Sequence, residues 1–395
     1  MEKGSVTQRK IAFADHLRGF AACIVLLYHY IVLYWTHPEI PAFFASAPEA
    51  TANPPAIVRW LAMFDLGAFG VALFFLISGF VIALSFRHHT RISFLIARAL
   101  RIWPTYLAAI ACILAIRYVS AWYWGASLHV PVWEITANAF LLQDFAGTNS
   151  LDLVNWTLAL EVQFYLLIAV GYGLLMRYRE RVVVYAACVL PFMLTLQWVP
   201  GLHLHLTLAA ARPGMCLPFM LIGTLFFLRI EGLITRREMA SAAAFTLLSV
   251  AWCLTKMITP NMALSYIAAF VVFLGLFIVR ERIGQNRVLA WLSAISYPLY
   301  LVHSIVGYTV LRFVTAGLGL SYPLALAVAI TVAVCLATVL HFAVERPSMA
   351  MGKRLAARRA PAPSRDASFA PAHAGREDAA GFASTELRSR LQPIA

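Results

Sequence analysis

The sequence predicts an all-α membrane protein: a polytopic bundle of about ten transmembrane helices with both termini cytoplasmic. Composition, recurring apolar runs and the placement of basic residues each lead to that expectation. Hydrophobic residues make up 62% of the 395 and charged residues 12%, and the mean hydropathy is +0.77. Too few polar side chains remain to coat a soluble globule of this length, so a lipid bilayer is the expected surrounding medium.

Apolar stretches long enough to span hydrocarbon recur at 11–35, 66–86, 102–122, 153–176, 182–199, 208–228, 240–256, 263–279, 295–314 and 323–344. Each is about 17 to 25 residues, the length a spanning helix requires. The first, fourth and sixth carry internal charge, which a position buried inside a bundle tolerates.

The net charge of +13 does not imply a nucleic-acid partner, because the basic residues gather in alternate loops. They cluster at Lys3, Arg9 and Lys10, at Arg87 to Arg101, at Arg177 to Arg181, at Arg229 to Arg237, at Arg280 to Arg287, and at Arg346 to Arg354. The intervening loops hold little beyond Arg59, Arg117 and Lys256. The positive-inside rule then puts both termini in the cytoplasm.

The cysteines Cys23, Cys112, Cys188, Cys216, Cys253 and Cys335 all fall in apolar segments. That placement fits buried packing thiols rather than a disulfide framework or a metal cluster, and no metal is expected. Ala45-Ser46-Ala47 has the form of a signal-peptide cleavage site, but the apolar run before it is longer than a leader's. Residues 1–350 are expected to form one membrane domain. Residues 351–395, rich in Ala, Pro, Ser and Arg, read as a disordered cytoplasmic tail.

The residues with chemical potential are the polar ones inside spans. Arg18 and His29 are eleven positions apart. At about 100° per residue they share a helix face, separated by roughly 16 Å along the axis. A charged group within a span is a functional candidate by default. The structural alternatives are snorkelling for Arg18 and a hydrogen-bonded neutral ring for His29.

Arg91 to Arg101 reads as an amphipathic helix feeding the third span, with Arg98 and Arg101 spaced to grip a phosphorylated ligand or to serve as ordinary inner-face charge. In the fourth span, Glu161 and Tyr165 are one turn apart. The carboxylate there could orient a histidine, bind a hydroxyl or pair with an arginine. Ser78-Gly79 reads as a close-packing step. Tyr300 and His303 share a face of the ninth span, and His203 with His205 has metal-like spacing but no further ligands.

Six segments in order resemble the signatures of the acyltransferase-3 family. They are Leu17-Arg18-Gly19 through Tyr28-His29, Phe74-Phe75-Leu76-Ile77-Ser78-Gly79-Phe80, Arg98-Ala99-Leu100-Arg101-Ile102-Trp103-Pro104, Trp156 to Tyr165, Ser296 to His303, and Glu345-Arg346-Pro347. The resemblance implies a ten-helix O-acyltransferase of the inner (plasma) membrane. Its donor would be acetyl-CoA or another acyl-CoA, and its acceptor a hydroxyl of a cell-surface polysaccharide, lipopolysaccharide or glycolipid. It places His29, Arg18 and Glu161 in the catalytic centre, Arg98, Arg101 and Ser78 on the donor, and Trp156, Tyr165, Tyr300 and His303 on the acceptor.

In that scheme His29 is a general base or a nucleophile. Where the family often has two adjacent glutamates, this chain has Glu161 followed by Val162, so only the first carboxylate carries over. Some members add an extracytoplasmic esterase-like domain, and here any such module is expected to be a separate protein or absent. A transporter or flippase is the main alternative, because buried Arg, His and Glu also mark solute and proton pathways. A membrane scaffold without chemistry would leave those groups unexplained.

Overall fold

The computed structural model describes residues 2–49, 54–87, 89–196, 208–284 and 286–358. Among these the chain is all-helical, without strands. The long helices are α1 (Glu2–Leu27), α2 (Leu66–Phe86), α3 (Arg91–Trp124), α4 (Asn155–Tyr178), α5 (Glu180–Leu196), α6 (Leu208–Ile230), α7 (Arg236–Met257), α8 (Pro260–Val279), α9 (Arg287–Arg312) and α10 (Tyr322–Leu340), followed by α11 (Arg346–Ala357).

Among the described residues, nine helical segments are long and apolar enough to cross a membrane, against the ten expected. The difference is α5, which ends at Leu196 after 17 residues; the rest of the expected 182–199 span lies outside the described residues, as do His203 and His205. With these segments the chain is a multi-pass membrane protein. Large apolar side chains such as Trp122, Val170, Leu248 and Ile278 stay exposed on the helix surfaces, as lipid-facing positions require.

Helix starts follow local chemistry. Asp65 caps α2 by accepting the Ala68 N–H at 2.8 Å, Thr235 and Glu238 form a capping box at α7, and Asn286 accepts two N–H groups at the start of α9. The expected amphipathic segment is continuous with the third span: α3 runs unbroken for 34 residues. That is about 50 Å of helix, well beyond the roughly 30 Å of a hydrocarbon core. That length leaves room for its basic first turns to lie outside the apolar layer.

Two packing devices bring the helices close around the site. In α10, Ala325, Ala329, Ala333 and Ala337 are fully buried at four-residue spacing, and this smooth stripe lies against α9. At the α2–α6 crossing, Gly79 faces the Met220 carbonyl and Gly223 faces the Leu76 carbonyl so closely that a Cβ on either would collide with backbone. The close-packing reading of Ser78-Gly79 is therefore observed.

Two sequence readings need adjusting. All six cysteines are unpaired, but Cys188 and Cys335 are exposed on helix surfaces rather than buried. The expected tail boundary at 350 falls inside α11, which continues to Ala357 and packs on α3 with Gly352 against Leu100.

Candidate active site

Helices α1, α2, α3, α4, α8 and α9 line two adjacent cavities that share Val71 and Tyr300 as common wall. The first holds the arginines. It is lined by Arg18 from α1, Phe74, Phe75 and Ser78 from α2, Arg101 from α3, Thr157, Glu161 and Tyr165 from α4, and Tyr297 from α9. Its free volume is about 70 Å³, space for a few waters and no more in this conformation.

Inside this cavity Glu161 is held by Tyr165 of its own helix and by Ser78 of α2. Its Oε1 accepts from the Tyr165 hydroxyl at 2.7 Å and from Ser78 Oγ at 3.4 Å. Arg18 pairs loosely with Asp15 at 3.6 Å. Arg101 lies in the field of Glu161 and of the buried Glu345, whose carboxylate meets His341 Nδ1 at 2.7 Å. The two arginines expected to act together are divided. Arg101 lines the cavity, whereas Arg98 lays its guanidinium over the rings of Phe94 and Tyr165, 5.2 and 5.4 Å from their centroids.

The second cavity, of about 220 Å³, holds His29 together with Tyr28, Asp65, Trp156, Met262 and Tyr300. Arg18 and His29 each line a cavity bounded by Val71, so the shared face read from their spacing is the face turned toward α2. His29 sits in a π-helical turn, Tyr28–Leu33, a distortion that recurs at functional positions.

His29 is buried and paired. Its Nδ1 lies 2.7 Å from Nε2 of His303, with the two rings nearly parallel at 8°. His303 Nδ1 in turn faces the carbonyl oxygens of Tyr300 at 2.8 Å and Leu299 at 3.2 Å. Carbonyls only accept, so His303 Nδ1 carries the proton and its Nε2 is a lone pair. With both rings neutral, His29 Nδ1 must be the donor, which leaves His29 Nε2 as an unprotonated base. The Tyr30 hydroxyl donates to the His303 carbonyl at 2.7 Å and steadies that stretch of α9.

The matched family model decides the relationship: the Acyltransferase domain model, Acyl_transf_3, matches residues 11–342. The chain belongs to the acyltransferase-3 family. It is also similar to Nodulation protein 10 of Rhizobium leguminosarum bv. viciae, 28% identical over 211 residues, which is 49% of this chain and 52% of that protein. The chain thus matches about half the length of that relative. No solved structure matches it.

For this acyltransferase-3 chain, the structure regroups the residues expected at the site. Arg18, Ser78, Arg101, Glu161 and Tyr165 share the arginine cavity; Trp156 lines the histidine cavity; Tyr300 belongs to both. Glu161 was one candidate to orient His29, but the residue that meets the imidazole is His303. His303 was expected on the acceptor, and its two ring nitrogens are instead committed to His29 and to backbone.

Thr157, whose hydroxyl holds the Tyr300 hydroxyl at 2.8 Å, was not singled out, and neither were Tyr28 and Asp65. Asp65 stood out least because a lone carboxylate before an apolar run reads as a helix cap, which it also is.

Proposed function

We propose that this chain is an O-acyltransferase of the inner membrane, with both termini cytoplasmic. It would move an acyl group, by our reading acetyl, from acyl-CoA to a hydroxyl of an envelope polysaccharide, lipopolysaccharide or glycolipid. The observation that carries this reading is the bare Nε2 of His29, in a cavity that shares a wall with one lined by two arginines. Family membership and the basic inner-face loops support it as well.

In this reading the donor enters from the Arg101 side. Arg101 and Arg18 hold its phosphate and pantetheine end, guanidinium being suited to phosphate. Arg18 and His29 are roughly 16 Å apart along α1, so Arg18 positions the donor rather than stabilising charge at the carbon under attack. The extended pantetheine arm bridges that gap past Phe74 and Tyr300, which must part to admit it. Glu161, tied to Tyr165 and Ser78, sets the polar wall of the donor side.

At the other end, His29 Nε2 takes the proton from the acceptor hydroxyl as its oxygen forms a bond to the thioester carbonyl carbon. The tetrahedral intermediate collapses with cleavage of the C–S bond. The proton passes from the imidazolium to the departing thiolate, giving an ester and free CoA. His303, accepting from His29 Nδ1, keeps the base in the required tautomer and spreads the transient charge.

The experiment is to supply proteoliposomes containing the full chain with acetyl-labelled CoA and an envelope extract. Label in a glycan fraction with matching CoA release supports the proposal. Solute movement without thioester consumption would replace it with the transporter reading.

A further inference from the structure

The histidine cavity contains a carboxylate that the chemistry above does not use. Asp65 is half-buried at the start of α2, where its Oδ1 accepts the Ala68 N–H at 2.8 Å and the Gly67 N–H and Tyr28 hydroxyl lie nearby. An ionised carboxylate offers about four acceptor directions, so it can take a further donor from a ligand. Burial pushes its pKa upward while these neighbouring donors hold it down.

The rings around it are fixed. Tyr28 lies across Gly67, at a position where a Cβ would strike the ring. Trp156 is backed by Arg212, whose guanidinium sits 4.9 Å above it and is steered by Asp144 at 3.9 Å.

A carboxylate in a cavity that also holds two aromatic side chains and a base matches one chemical class. A sugar ring presents C–H groups to an aromatic face and hydroxyls to an acceptor-only carboxylate. We infer that Tyr28, Asp65 and Trp156 form the acceptor subsite: a hydroxylated sugar ring donates one hydroxyl to Asp65 and presents another to His29 Nε2. This rests on the acyltransferase reading and adds to it the residues that recognise the acceptor. It also assigns Asp65 a role beyond capping α2.

The test uses the full chain in proteoliposomes with labelled acetyl-CoA, the acceptor being supplied by titrating detergent extract of envelope from cells lacking this protein. Asp65→Asn keeps a side chain that caps helices well but removes the charge; Tyr28→Phe removes a single hydroxyl. A hydrogen bond to a charged group corresponds to about tenfold or more in affinity. The extract needed for half-maximal rate should therefore rise by about that factor in Asp65→Asn, and by less in Tyr28→Phe, with the KM for acetyl-CoA unchanged.

An unchanged extract requirement in both variants would make Asp65 a helix cap only. A parallel rise in the acetyl-CoA KM would place it on the donor side, and either result overturns the inference. Should Asp65→Asn lose its monodisperse profile on size exclusion, Tyr28→Phe decides alone. If the wild-type chain transfers no label, it is the acyltransferase reading that fails.

Discussion

His303 Nε2 lies 2.7 Å from Nδ1 of His29, although 274 positions separate them in the chain. Because the other nitrogen of His303 faces two backbone carbonyls, this contact fixes which nitrogen of His29 is free. His303→Ala should therefore lower kcat for acyl transfer by about a hundredfold, within the range of general-base effects, while leaving the KM for acetyl-CoA near wild type. His303→Gln, which can still accept, should recover part of the rate. A variant that raises the donor KM without lowering kcat would mean His303 touches the donor and does not position the base.

Arg101 and Arg98 should separate in their effects. Arg101 lines the donor cavity, so Arg101→Gln should raise the acetyl-CoA KM by about ten- to a hundredfold, the scale of one lost charge-assisted bond. Arg98 is stacked on Phe94 and Tyr165, and Arg98→Gln should cost about 1 kcal/mol of stability and change the donor KM less than about threefold. Equal KM effects would show that both guanidiniums contact the phosphates.

The helix crossing can be probed through its glycines. A Cβ on Gly79 would meet the Met220 carbonyl, whereas one on Gly171 in α4 would meet nothing within 4 Å. Gly79→Ala should destabilise the bundle by about 1–3 kcal/mol through forced separation of α2 and α6. Gly171→Ala should be neutral or slightly stabilising. Thermal unfolding in detergent gives both values, and a Gly79→Ala protein that melts like wild type would contradict the close crossing.

Stability should also depend on pH through Asp152, which lies before α4 and outside the spans. It is buried, and its Oδ1 accepts from the N–H groups of Val154 and Asn155, each at 2.7 Å. Burial outweighs those bonds and pushes its pKa up from 3.8 to about 6. A folded-state pKa above the unfolded value means the folded chain holds the proton more tightly. The stabilisation is fully present below 3.8, declines as pH rises toward about 6, and is gone above it.

The loss across that window is on the order of a few kcal/mol, and Asp152→Asn should remove the part of the slope that Asp152 contributes. Melting temperatures of both proteins across the window measure it. A wild type that grows more stable as pH rises there, relative to Asp152→Asn, would contradict the assignment.

Much of the architecture was readable because the bilayer imposes one length and one polarity on every span. The run at 66–86 coincides with α2 to the residue, and the eleven-residue spacing of Arg18 and His29 put both side chains on the face they occupy. The pairing of His29 with His303 was not readable, since helical spacing says which residues share a face and nothing about which distant helix meets it. For the same reason Glu161 looked equally able to serve His29 or the arginines. One sequence signal does point there: the alanines at 325, 329, 333 and 337 mark the face of α10 that packs on α9, and α9 is the helix that carries His303.

The most direct measurement is acyl transfer by His29→Ala in proteoliposomes, with labelled acetyl-CoA and envelope extract, after the variant has matched wild type in melting temperature and size exclusion. A bare Nε2 acting as base predicts a fall of at least about a thousandfold, with acetyl-CoA still bound at near wild-type affinity. Transfer within a few-fold of wild type by a correctly folded His29→Ala protein would contradict the account.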